Sequence, residues 1–209
     1  MDRKETKEQE IKFLASEFKK NPELFTRKTY LDDSQFLEKV GIFFPDDIQK
    51  NRYAGYMKLW SQDFIVEEIL KDGALQTIGL SNTAQDLNNE SGLPTLYATL
   101  VKCGLSTIEA VEEIISFLGI DKKKIQFAGI KDKDAITSQS ISFRDVPLEK
   151  VLAITSPYFF FKDFHYGKGV VEVGGLKGNK FTILIRTNPS FNKEGFLANL
   201  EFVKKEGFF

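Results

Sequence analysis

The chain has 209 residues, of which 42% are hydrophobic and 28% are charged, and its formal net charge is −1. This composition is typical of a folded globular protein and excludes an intrinsically disordered chain. The single cysteine, Cys103, excludes a disulfide within the chain and a zinc site built from cysteines, and we expect it to be a small buried side chain.

No apolar run is long enough to span a lipid bilayer, and no apolar signal segment follows the charged first residues. We therefore expect a cytoplasmic protein without a membrane partner. The charge is uneven, because residues 61–119 carry a net charge of −7 and residues 120–186 a net charge of +5. A basic block of this kind is compatible with a polyanion that meets one face of the protein, and equally with a lysine-rich surface exposed to water.

The first 52 residues carry apolar side chains at helical spacing, which predicts helices over 5–18 and 33–40. We interpret residues 1–52 as an N-terminal helical extension. Extended segments follow, with predicted strands over 56–59, 64–70 and 95–101 and a polar loop over 80–93.

The clearest helix is predicted over 108–118. Ser106 suits its N-cap, Glu109 completes a capping box three residues on, and Gly119 suits the left-handed residue that ends it. The remaining predicted elements are strands over 125–129, 138–143, 158–164, 170–173 and 181–186 and helices over 148–154 and 191–205. This order indicates an α+β or mixed α/β domain built around a sheet.

Residues 128–139 read AGIKDKDAITSQ and place two lysines and two aspartates in a polar loop after an apolar strand. Cations beside a carboxylate favour its ionised form, and an ionised aspartate can act as a nucleophile or a base. By itself the pattern is more typical of a hairpin of charges in water. The single histidine, His165, lies in a predicted strand, and we expect it to be a strand residue and not a catalyst.

This segment resembles the signature AG-x-KD-[KR]-x-A-x-T-x-Q of the tRNA pseudouridine synthase D (TruD) family, in which the aspartate of the KD pair is the essential carboxylate. Asp132 matches that aspartate, whereas Asp134 falls on a variable position. The stretch 95–120 also resembles the family's connecting strand and helix.

Two further segments resemble the same family, in the same order along the chain. Residues 57–68 are similar to K-x-x-P-x-DF-x-V-x-E, with Lys58 and Phe64 at active-site positions and serine in place of proline at position 61. Residues 174–186 are similar to G-x-L-x-GN-x-F-x-x-x-LR, with Asn179 and Phe181 at active-site positions. Three motifs in order make the resemblance specific.

The resemblance implies an RNA pseudouridine synthase that isomerises uridine to pseudouridine in tRNA, with no metal or organic cofactor and with RNA, not DNA, as its partner. It implies an α+β fold with a mixed, mainly antiparallel sheet and packed helices, similar to the N-terminal half of a pseudouridine synthase catalytic domain, over residues 53–209. Asp132 would be the catalytic carboxylate. The substrate-binding residues would be Lys58, which pairs with Asp132, Phe64, which lines the pocket, Asn179, which hydrogen-bonds near the nucleotide, and Phe181, which stacks on the uracil.

A further family motif, resembling N-[YF]-[FY]-G-x-QRFG, does not occur within the 209 residues. We therefore expect a truncated form or one piece of a longer protein that lacks the C-terminal half and the insertion domain of the catalytic domain. One alternative is a non-catalytic RNA-binding or structural remnant of such an enzyme. Another is an unrelated α+β protein with chance matches, which predicts that Lys58, Asp132, Asn179 and Phe181 lie far apart.

Overall fold

The structure is a computed structural model, and it describes residues 12, 16, 19, 55–58, 60–80, 92–187 and 191–206. Of the predicted helix over 5–18, only Lys12 and Ser16 lie among these residues, and both are helical. The predicted helix over 33–40 and most of the predicted loop over 80–93 lie outside them. The N-terminal helical extension over 1–52 therefore stays a prediction.

From Gly55 on, the described residues form eight strands and three α-helices. The strands are β1 (Gly55–Tyr56), β2 (Phe64–Leu70), β3 (Thr95–Cys103), β4 (Ile125–Phe127), β5 (Ile136–Arg144), β6 (Phe159–Gly167), β7 (Leu176–Ile183) and β8 (Arg186–Thr187). The helices are α1 (Thr107–Leu118), α2 (Leu148–Leu152) and α3 (Lys193–Glu206), with two short 3-10 helices at Ser61–Asp63 and Lys122–Lys124. None of these helices combines the length and the apolar character that a bilayer-spanning segment needs.

Residues 57–184 form one compact unit, and the described remainder, with the antiparallel pair β1 and β8 and the helix α3, belongs to a second. The first unit contains a six-stranded sheet with the order β6-β3-β5-β2-β7, and β4 also pairs with β5. Only the pairing of β2 with β5 is parallel. The prediction of an α+β fold with a mixed, mainly antiparallel sheet is confirmed.

The core lies between the sheet and α1. Side chains alternate between the two faces of a strand, so Leu96 and Leu100 of β3 share one face of the sheet. They are fully buried in one cluster with Phe143 of β5 and with Val111 and Ile114 of α1. Each Val or Ile side chain buried in this way contributes about 1.5–3 kcal/mol to folding. The face that α1 covers is also the face on which the candidate site lies.

The start of α1 is fixed by the predicted capping box. The Ser106 hydroxyl accepts a hydrogen bond from the backbone N–H of Glu109 at 3.1 Å, and the Glu109 carboxylate accepts one from the backbone N–H of Ser106 at 2.8 Å. The hydrogen bond from Lys133, together with those from Ser106, lowers the pKa of Glu109 to about 2. Glu109 therefore stabilises the fold at neutral pH, and this stabilisation is lost as the pH falls from about 4.5 towards 2. Gly119 ends the helix with a φ of 62°.

Replacing the N-cap residue in Ser106→Ala is expected to lower the free energy of unfolding by about 1 kcal/mol, because the backbone N–H of Glu109 loses its hydrogen-bond acceptor. Urea denaturation would measure this loss. Glu112→Gln, an exposed position on the same helix, is the control and should change stability by less than about 0.5 kcal/mol. Equal midpoints for the two variants would contradict a stabilising role of the cap.

Three local predictions are wrong. The segment 170–173 is a loop and not a strand, because it makes isolated hydrogen bonds, such as that from the Val171 N–H to the Ser142 hydroxyl at 3.0 Å, in place of a ladder. The predicted strand over 56–59 ends at Tyr56, since Lys58 has a φ of 58° that no strand allows. Cys103 is exposed and not buried, because it ends β3 immediately before the turn at Gly104. His165 lies in β6 as predicted and stacks on Tyr97.

Candidate functional site

The register of β2 against β7 determines which side chains form one side of the candidate site. Val66 lies opposite Phe181 and Glu68 lies opposite Asn179, so the side chains of each pair share a face of the sheet. Phe64 lies two residues before Val66 and points to the same face. These strands therefore bring Phe64 to the same face as Asn179 and Phe181, which lie far along the chain from it.

The other two predicted residues reach this side of the site from loops. Lys58 lies in the bend after β1, and its ammonium donates a hydrogen bond to Oδ1 of Asp132 at 2.7 Å. The same ammonium is 3.9 Å from the centre of the Phe64 ring, in a cation–π contact. The rings of Phe64 and Phe181 are 5.8 Å apart with an angle of 58° between their planes. A chain of contacts thus runs from the Asp132 carboxylate to Phe181, whose side chain is half exposed.

Lys58 has an unusual backbone. Its φ of 58° lies in the left-handed region, which costs a residue other than glycine about 1–3 kcal/mol. The ion pair with Asp132 and the contact with the Phe64 ring are the interactions that oppose this strain.

Residues 128–135 form the loop between β4 and β5, and not all of its charged side chains are exposed to solvent. Lys131 is buried, and its ammonium lies 2.7 Å from Oε2 of the fully buried Glu68, in an ionic contact and not an aligned hydrogen bond. The other oxygen of Glu68 accepts a hydrogen bond from the backbone N–H of Ser140 at 3.1 Å. Asp132, by contrast, has an exposed side chain. The interpretation of this segment as a solvated hairpin of charges is therefore wrong for Lys131. Its ion pair with Glu68 ties the loop to β2.

A second buried network holds the backbone of the same loop. The Thr107 hydroxyl accepts a hydrogen bond from the backbone N–H of Lys131 at 2.9 Å and donates one to the Gln139 side chain at 2.8 Å. The Gln139 amide in turn donates to the carbonyl of Gly129 at 3.1 Å. Thr107 begins α1 and Gln139 lies in β5, so the loop is tied to both elements.

Sequence reasoning missed these anchors, although a signal was present. Glu68 and Lys102 each interrupt a strand that is otherwise mostly apolar, and both are almost fully buried. A buried charged group must find a partner, because leaving it unpaired is costly. A charged residue inside a buried strand therefore predicts a polar network nearby.

The arrangement can hold a flat, uncharged ring beside a carboxylate. Phe181 offers an exposed aromatic face for stacking, and Asp132 can act as a nucleophile or a base. Within the ranges that the structure describes, no group of three or more His, Cys, Asp or Glu side chains is arranged so that it could hold a metal ion.

Comparison with known proteins gives a consistent result. The family described as tRNA pseudouridine synthase D (TruD) matches residues 48–207. "Probable tRNA pseudouridine synthase D 1" of Methanocaldococcus jannaschii is 34% identical over 140 residues, which are 67% of this chain and 36% of that protein. "tRNA pseudouridine synthase D" of Geobacter sp. is 31% identical over 153 residues, which are 73% and 35%.

A crystal structure from Methanosarcina mazei, whose name places it in the same family, is also similar. It matches with a TM-score of 0.60 and 25% sequence identity, over 81% of this chain and 35% of that one. The chain thus spans about a third of the length of the relatives that it matches.

Proposed function

Because the chain belongs to the tRNA pseudouridine synthase D family, we propose that the protein that contains it converts uridine to pseudouridine in tRNA, with Asp132 as the catalytic carboxylate. The observation that carries the proposal is the contact of 2.7 Å between Lys58 and Asp132 beside the rings of Phe64 and Phe181. Chance matches in an unrelated protein would not bring these residues to one place.

The reaction is an isomerisation and needs no oxidant or reductant. The bond between ribose C1′ and uracil N1 breaks, the uracil rotates, and a bond forms between C1′ and C5. The proton of C5 leaves to solvent and N1 takes up a proton, so atoms and charges balance. Asp132 acts on the ribose or on the uracil, as a nucleophile or a base.

The surrounding side chains suit a nucleotide that has left its stack. A base cannot react in this way while it is stacked in RNA, so it must be flipped into a pocket and held there after its bond to ribose breaks. Phe181 stacks on the uracil and Phe64 lines the pocket beneath it. Asn179, exposed on the same face two residues from Phe181, hydrogen-bonds to the nucleotide. Lys58 orients the Asp132 carboxylate.

Removing the stacking ring in Phe181→Ala is expected to lower kcat/KM by about 5- to 150-fold, because base–aromatic stacking contributes about 1–3 kcal/mol. Tritium release from RNA labelled at uridine C5 would measure this. The control is Phe117→Ala on α1, since that ring is exposed to nearly the same extent, 52% against 53%. A loss in both variants, or in neither, would contradict a stacking role for Phe181.

The same assay tests the proposed function itself. We expect tritium release by the protein that the complete gene encodes, and comparison with the 209-residue chain will show whether this part alone turns over. RNA binding without tritium release by the product of the complete gene would favour the alternative of a non-catalytic RNA-binding remnant.

A further inference from the structure

A second buried lysine lies directly under the candidate site. Lys102, near the end of β3, is 1% exposed, and its ammonium donates hydrogen bonds to the carbonyls of Leu105 and Asp132, each at 2.7 Å. A third carbonyl, that of Lys131, lies at 3.5 Å. An ammonium has three N–H donors, and here all three nearby acceptors are backbone carbonyls. Two of these carbonyls, those of Lys131 and Asp132, belong to the 128–135 loop.

The charge of Lys102 is costly where it lies. In the part of the chain that the structure describes, no carboxylate lies within ion-pair distance of it. Burial lowers the pKa of Lys102 to about 8, an effect that the charges of Asp132, Cys103 and Glu109 oppose and that of Lys131 reinforces. Lys102 is therefore mostly a cation at neutral pH.

We propose that Lys102 is a positioning residue, which holds the carbonyl groups of Lys131 and Asp132 and so aims the Asp132 carboxylate at Lys58 and at the nucleotide. This inference rests on the proposed function. The buried pair of Lys131 with Glu68 and the Thr107 network fix the residue before Asp132, whereas Lys102 is bonded to the carbonyl of Asp132 itself. A reacting group displaced by about 1 Å can lose about 10²-fold in rate.

The chain offers a closely matched control. Lys162 on β6 is also 1% exposed, and its ammonium contacts Thr77 and Asp163, each at 3.1 Å, neither of which lies in the 128–135 loop. Lys162→Met therefore removes an equally buried ammonium from another strand, although Lys162 is paired with a carboxylate and Lys102 is not. Comparing it with Lys102→Met separates a general loss of stability from a displacement of Asp132.

In the protein encoded by the complete gene, Lys102→Met is expected to lower kcat for tritium release by about 10²-fold, with a much smaller change in KM for RNA. Hydrogen exchange at the amides of the 128–135 loop should become faster. Lys162→Met should change neither kcat nor this exchange beyond what its loss of thermal stability explains. Lys102→Gln, whose amide keeps two donors, should retain more activity than Lys102→Met.

The pH profile gives a readout that a merely structural lysine would not change. Turnover of the unaltered protein should decline as the pH rises through about 8, because the neutral amine has two N–H donors in place of three and lacks the charge that strengthens its bonds to the carbonyls. The groups whose charges act on Lys102 are Asp132 and Lys131 of the loop, Glu109 of α1 and Cys103 of its own strand. The residual turnover of Lys102→Met should lack this decline.

The two ways of failing can be told apart. If the unaltered protein releases no tritium from tRNA or total RNA, the proposed function fails, and the positioning role with it. If the unaltered protein is active but Lys102→Met matches Lys162→Met in kcat, in loop exchange and in pH profile, the positioning role of Lys102 is overturned while the function stands.

Discussion

Asp132→Asn is expected to lower tritium release from C5-labelled RNA by at least about 10³-fold while the protein stays folded. The amide keeps the size of the carboxylate but neither its charge nor its ability to act as a nucleophile or a base. Its side chain is 42% exposed, so the change leaves no buried group unpaired in the core. The measurement is single-turnover tritium release, with circular dichroism and thermal unfolding to show that the fold is retained.

Asp134→Asn is the matched control, because Asp134 lies two residues further on in the same loop and is also exposed. It changes the net charge by the same amount, and we expect it to leave turnover nearly unchanged. Comparable activity for Asp132→Asn and the unaltered protein would remove Asp132 from the chemistry. Equal losses in the two variants would indicate that the charge of the loop matters and not one particular carboxylate.

Glu68→Gln is expected to lower the free energy of unfolding by about 3–5 kcal/mol, because it leaves the buried ammonium of Lys131 without its counter-charge. Glu68 is fully buried, and Lys131 is only 6% exposed. A loss of this size is a large part of the stability of an ordinary domain, which is about 5–15 kcal/mol. Urea denaturation monitored by fluorescence would measure it, and the amides of the 128–135 loop should be the first to exchange.

The control for this prediction is Glu172→Gln. Glu172 pairs with Lys71 at 3.1 Å, but their side chains are 73% and 67% exposed, so the pair is worth about 0–1 kcal/mol. Adding Lys131→Met to Glu68→Gln should restore part of the lost stability, since no unpaired charge then remains. Similar losses for Glu68→Gln and Glu172→Gln would show that the buried pair does not anchor the loop.

The elements that the sequence predicts well are those whose signals are local. The helix α1 carries its own start and stop, in the capping box of Ser106 and Glu109 and in Gly119, and the structure places both ends there. The strand predicted over 170–173 fails for the opposite reason. Its valines have strand propensity, but a strand exists only where a neighbouring chain pairs with it, and propensity does not contain that information.

The candidate site likewise depends on contacts between distant parts of the chain, which local sequence signals do not predict. Lys58 and Asp132 are 74 residues apart in the chain, and no periodicity or turn signal relates them. Family resemblance supplied both positions, and the structure shows that the bend at Lys58 and the 128–135 loop bring the two side chains together. Glu68 and Lys102 could have been recognised as buried, because each interrupts a mostly apolar strand, whereas Lys131 lies in a polar loop and its charge reads as a surface residue until its burial is known.

The most direct test of the proposed function is nucleoside analysis of an unmodified tRNA after incubation with the protein that the complete gene encodes. We predict that pseudouridine appears in the amount in which uridine is lost, and that Asp132→Asn produces none. A tRNA that is bound by the unaltered protein but keeps all of its uridine would contradict the assignment of this chain to a working pseudouridine synthase.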